Sequence, residues 1–230
     1  MIQPWEKMTR PVWRMGVLAG IVILQGCLGP KTIMEYREHA LLFEVPAPPS
    51  PGNLPWTVGV RPVTAGKTAD QRMAYVDADG VLRRYADDGW AEPPATAVYR
   101  GLVDALRGTG AFADVDNAAD MVRPDILVTG ELRECAADFS ASPPVARVTL
   151  AISARVYRDR SQALGRVITR TVKLADASDN PMQEISPLRV AQALRLALRD
   201  ATSDAAGLIV EHCKEWAAKT AASETRETGT

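Results

Sequence analysis

The stretch "ARVTLAISARVY", residues 146 to 157, most constrains the fold. Val148, Leu150, Ile152, Ala154 and Val156 fall on one side, with Arg147, Thr149, Ser153 and Arg155 on the other. Period-two alternation of this kind marks a half-buried antiparallel strand. "GRVITRTVKL" (165–174) makes a further strand of the same kind, and in "DILVTGEL" (125–132) Ile126, Val128, Gly130 and Leu132 share a face. An apolar sheet face needs a cover, and two amphipathic helices are available for it. The first opens at Pro93 and Pro94, repeats Val98, Leu102 and Leu106 at a spacing of four, and closes at Gly108 or Gly110. The second is capped by Ser186, with Pro187 at its first position. Its apolar stripe runs through Ala191, Leu194, Leu198, Ala201, Ala205, Leu208 and Trp216. The order is strands, helix, strands, helix, without crossover helices between the long strands. The expected class is α+β, an antiparallel or mixed sheet with two helices packed on one face.

The region before the first helix is less regular. "HALLFEV" (39–45) suits a short opening strand. "PAPPSPGNLP" (46–55) has five prolines in ten residues and reads as an extended connector, since proline donates nothing to a ladder. "WTVGVRPV" (56–63) has β-branched residues at alternating positions and predicts a strand. Ala74–Val76 and Val81–Tyr85 flank Asp79-Gly80, a dipeptide suited to a type I′ hairpin turn. "AFADV" (111–115) is a brief extended segment. "AAKTAASETRETGT" (217–230) has little apolar content and is expected to be disordered.

The amino terminus sets the compartment. Lys7, Arg10 and Arg14 precede an uninterrupted apolar run of ten residues, Met15–Leu24. A spanning helix needs roughly 20 such residues and a signal-peptide core about 7–15. Residues 1–26 therefore read as a signal peptide. Leu24-Gln25-Gly26-Cys27 is similar to a bacterial lipobox, in which the thiol of Cys27 receives a diacylglyceryl group before cleavage. Two or more acyl chains hold a protein firmly where one holds it marginally. Leu28, rather than an aspartate, follows the cysteine, which points to the periplasmic side of the outer membrane. Residues 27–37 then form the lipidated cysteine and its tether, and 38–216 a single periplasmic domain.

Removing Lys7, Arg10, Arg14 and Glu6 leaves 24 basic and 27 acidic residues, a net charge of −3. There is no Lys/Arg block to meet a nucleic-acid backbone. Only Cys135 and Cys213 remain besides Cys27. In an oxidising periplasm they are either a disulfide or two buried free thiols. His39 and His212 have no ligand partner at a metal-binding spacing, and no CxxC, G-x-S-x-G or phosphate-loop motif occurs. Asp87-Asp88 reads as a solvated loop rather than a carboxylate dyad. No catalytic residue, metal or cofactor is expected.

One region carries a resemblance. Tyr85, then Trp90-Ala91 with Pro93, then Leu102 and Leu106, then Gly110 through Phe112 to Val115 resemble the signature of the ABC-type transport auxiliary lipoproteins. That family includes the lipoprotein of the Pqi system and partners of MCE-domain transporters. The resemblance implies a non-catalytic, periplasm-facing subunit of a transporter moving lipid or other apolar material between two membranes. Its partners would be an MCE-domain periplasmic protein and an ABC permease and ATPase on separate chains; self-association into a homo-oligomer stays open. Trp90 is then either a core plug or a partner-contact anchor. The rival functions are an outer-membrane assembly or pilotin-like binding lipoprotein, and a periplasmic hydrolase.

Overall fold

The computed structural model describes residues 35–48, 54–157, 163–174 and 185–227, with side chains through Ala222. The signal peptide and Cys27 lie outside the described residues, as do 49–53 of the connector. The elements are β1 (Arg37–His39), β2 (Leu54–Val60), β3 (Thr64–Ala65), β4 (Arg72–Val76), β5 (Leu82–Trp90), α1 (Pro94–Gly108), β6 (Phe112–Asn117), β7 (Ile126–Asp138), β8 (Val145–Val156), β9 (Ala163–Lys173) and α2 (Pro187–Glu227).

All nine strands join one mixed sheet, as the alternation predicts for its long members. Strand β7 is its spine. One edge pairs antiparallel with β8 from Ile126↔Val156 to Asp138↔Val145, and β9 adds antiparallel to β8. The other edge takes three short parallel partners in succession. These are β2 at Val58↔Ile126, β3 at Thr64↔Glu131 and β4 at Ala74↔Ala136. Beyond them, β6 runs parallel to β2, β5 antiparallel to β4, and β1 parallel to β5.

The core lies between the sheet and the two helices. Ile126, Val128 and Leu132 of β7, and Val148, Leu150, Ile152 and Ala154 of β8, are buried against Leu102 and Leu106 of α1 and Leu194, Leu198, Ala205 and Ile209 of α2. Strand β7 continues past Leu132, where the alternation in the sequence stops. The register slips between Leu132 and Glu134, so Cys135 and Ala137 resume the buried face. A bulge of this kind inserts one residue and shifts the side-chain parity.

Three expectations are corrected. The opening strand is Arg37–His39, not 39–45. Leu41 is buried, while Phe43 and Val45 pack onto the core where Gly101 of α1 leaves room. A Cβ at Gly101 would lie 2.9 Å from Val45 and 3.1 Å from Phe43. The apolar run thus crosses a helix instead of joining the sheet at those positions. Secondly, the hairpin turn is not type I′. Gly80 alone has positive φ there (+80°), its N–H donates to the Asp77 carbonyl at 3.0 Å, and the Asp77 carboxylate accepts from the N–H groups of Asp79 and Val81. This is a turn closed by a left-handed glycine, with an aspartate side chain holding it.

Thirdly, residues 217–227 are helical, as the carboxyl end of α2. Ala217, Ala218, Ala221 and Ala222 are strong helix formers, and extending a helix already nucleated is far easier than starting one. Of the two states left open for Cys135 and Cys213, the structure has the second, with both thiols free and buried. Burial pushes each thiol up to about 12, and a thiol that stays protonated is a poor nucleophile for disulfide exchange.

Candidate functional site

Strand β1 is built into the sheet by a buried carboxylate. Strand β1 pairs with β5 in the register Arg37↔Asp88, Glu38↔Gly89 and His39↔Trp90. Residues two apart on a strand share a face, so Asp88 points the same way as the core residue Trp90. The Asp88 side chain is only 4% exposed, which forbids leaving its charge unpaired. Arg37 Nη2 donates to Oδ2 at 2.7 Å, and His39 Nε2 lies 2.9 Å from Oδ1. The backbone closes the clasp, with the N–H of Ala91 donating to the His39 carbonyl at 3.0 Å. A Cβ at Gly89 would sit 1.8 Å from the Tyr36 hydroxyl and 3.0 Å from the Gln71 carbonyl oxygen, so any larger residue would displace the Tyr36 ring.

The His39–Asp88 pair has the form of the orienting half of a nucleophilic triad. Among the described residues no hydroxyl or thiol hydrogen-bonds to His39, and no group of three or more His, Cys, Asp or Glu could hold a metal ion. Among the described residues the arrangement positions a strand, pairing β1 with β5 through Asp88.

Trp90, Tyr85 and Pro93 occupy three different settings. The Trp90 indole is fully buried, 6.3 Å from the His39 ring and edge-on to it. Its Nε1–H has no hydrogen-bond partner among the described residues, a polar atom surrendered to packing. Tyr85 is half-buried and lies 4.7 Å from the Tyr75 ring, which in turn meets Phe139 at 5.8 Å. Pro93 immediately precedes α1, and its carbonyl accepts from the N–H of Thr96 at 2.9 Å. These residues shape the hairpin, the core and the helix start, and do not gather into one exposed patch.

The profile of the family described as "ABC-type transport auxiliary lipoprotein component" matches residues 41–205. The chain belongs to this family. Protein XCC0632 from Xanthomonas campestris has the same fold, with a TM-score of 0.65, 21% identity, and coverage of 79% of this chain and 99% of that one. A second solved structure, of an uncharacterised protein, gives a TM-score of 0.53 at 12% identity, covering 73% and 99% of the two chains. No curated protein matches the chain. The family is an auxiliary component of ABC transport rather than a catalytic one, and a lipoprotein family, which suggests anchoring at a membrane with the domain in the periplasm.

In this auxiliary lipoprotein the clasp is the part that sequence reasoning missed. Asp87-Asp88 reads as a solvated loop, and His39 as a structural or solvated residue with no partner specified. The structure buries Asp88 and brings Arg37 and His39 onto it from 51 and 49 residues away in sequence. One signal was available: Asp88 stands two residues before a tryptophan, so on a strand both face the core. His212, by contrast, sits on α2 with its ring 4.4 Å from Trp216 and Nδ1 3.4 Å from Glu215.

Proposed function

We propose that the chain is a periplasm-facing accessory subunit, held at the outer membrane by acyl chains on Cys27. It acts by docking, onto an MCE-domain protein of an ABC transporter that moves lipid or other apolar material between the two membranes. The permease and the ATPase are separate chains. Membership of the auxiliary lipoprotein family carries this reading. The clasp supports its mechanical side. Strand β1 is the first described element after the tether, and it is held by parallel pairing and by a buried carboxylate rather than by surface contacts alone. A pull on the anchor is therefore transmitted to β5 and the sheet.

The test is purification of the tagged protein from detergent-solubilised envelopes, with its companions identified by mass spectrometry. Co-purification of an MCE-domain protein with a permease and an ATPase is the expected result. Recovery of outer-membrane assembly or secretion components in their place would overturn the transport reading and favour the pilotin-like one.

A further inference from the structure

The helix-free face of the sheet carries a groove whose charged lining residues, among those described, are all arginines. It lies where β2, β7 and β8 come level, at the end of the sheet that starts β7. Leu127 alternates with the buried Ile126 and Val128, so it points away from the helices, and Arg155 stands opposite it in the β7–β8 register. The segment 118–124 forms the far wall. The main cavity is about 400 Å³, lined by Arg61, Met121, Val122, Arg123, Leu127 and Tyr157 among others. A second hollow of about 300 Å³ shares Leu127 and Tyr157 with it and adds Arg155.

Two properties select a ligand. The floor and walls are apolar, with Val122 fully exposed and Tyr157 half exposed. The charged side chains lining both hollows are arginines only. Among the described residues no carboxylate is paired with Arg61, Arg123 or Arg155, although most arginines elsewhere on the sheet have one, such as Arg147 with Asp138 and Arg170 with Asp204. The guanidinium of Arg123 stacks 5.0 Å over the Tyr157 ring, which holds it at the rim. Three forks of donors beside an apolar floor call for a partner with acceptor oxygens and a hydrocarbon portion. A peptide brings backbone N–H groups of its own, for which these arginines offer no acceptor. A phosphate diester with an acyl chain brings anionic acceptor oxygens for the guanidinium groups and a hydrocarbon portion for the floor.

We propose that this groove binds the anionic headgroup and proximal acyl chain of a phospholipid, with Arg61, Arg123 and Arg155 on the phosphate and Leu127, Tyr157 and Met121 against the chain. The choice of a lipid rests on the transport reading above; the groove and its charge do not.

The experiment uses the full-length acylated protein reconstituted into neutral vesicles doped with photoactivatable phosphatidylglycerol or, separately, photoactivatable phosphatidylcholine. Cross-linked peptides are mapped by mass spectrometry. Phosphatidylglycerol should label peptides containing Met121, Leu127 or Tyr157. Excess inorganic phosphate should compete weakly, because it lacks the chain. Arg61→Gln and Arg155→Gln should each lower the yield about tenfold, the loss of one charge-assisted contact. Both side chains are exposed, and an unchanged melting temperature confirms that the variants fold. Equal labelling by the two lipids, labelling away from the groove, or yields unmoved by both variants overturns the proposal. So does a variant that keeps full labelling but loses its protein companions, since the groove is then a docking site for an acidic protein segment. Failure of the transport reading shows separately, as absent transporter subunits in the pull-down with lipid labelling intact.

Discussion

Trp90 separates packing from contact at a single side chain. With its indole fully buried, it has no surface to offer a partner, so its role in the Tyr85–Trp90–Pro93 segment is to fill the core beside the clasp. Trp90→Ala should lower the unfolding free energy by about 3–5 kcal/mol, read as a shift in the urea midpoint, with a matching drop in folded protein. A mutant of normal stability that loses its companions would overturn the core role. The two thiols make a second residue-scale prediction. Burial holds Cys135 and Cys213 protonated to about 12, whereas an unfolded thiol ionises near 9. Between those values the unfolded chain has released protons that the folded chain keeps. The contribution is full below about pH 9 and is lost as pH rises toward 12, at up to roughly 1.4 kcal/mol per pH unit for each thiol. Urea midpoints measured across that range should fall, and should fall less in Cys135→Ala and Cys213→Ala; a flat profile would contradict thiol burial. Asp88 shows the limit of reading residues singly, because its burial depends on which strand lies beside it.

At the scale of elements, the periodic ones were legible and the irregular ones were not. Strand β8 alternates cleanly and is a strand almost to the residues expected, and α1 and α2 begin at Pro94 and Pro187, as proline at a first helical position predicts. The segment 41–45 is as apolar as a strand but lies across α1, because Gly101 leaves it a seat. Gly101→Leu should detach it. The substitution favours the helix intrinsically, by about 1 kcal/mol, yet places a side chain where Val45 and Phe43 now rest. The expected outcome is faster limited proteolysis between residues 40 and 48 while the helical signal is retained. Unchanged cleavage there would show that the segment is not held through Gly101. Strand β7 was under-read for a similar reason: Arg133 and Glu134 interrupt the pattern, and only pairing with β8 shows that a bulge restores it.

For the whole molecule, the anchor is the decisive test. Cys27→Ser should leave an unprocessed precursor that takes up no labelled palmitate. A mutant still cleaved and still fractionating with the outer membrane would contradict acylation at that site. Class, helix positions and long strands were written in the chain, since period-two and period-four patterns of apolar residues specify which face each element must bury wherever it ends up. The resemblance in residues 85–115 was equally local, a matter of order and spacing. What awaited the tertiary structure was every feature made by elements distant in sequence. The three short parallel partners along one edge of β7, the carboxylate of Asp88 enclosed by Arg37 and His39, and the arginine-lined groove on the bare face are of this kind. A charge takes its meaning from its surroundings, and those are set by strand order and register, which side-chain periodicity leaves undetermined.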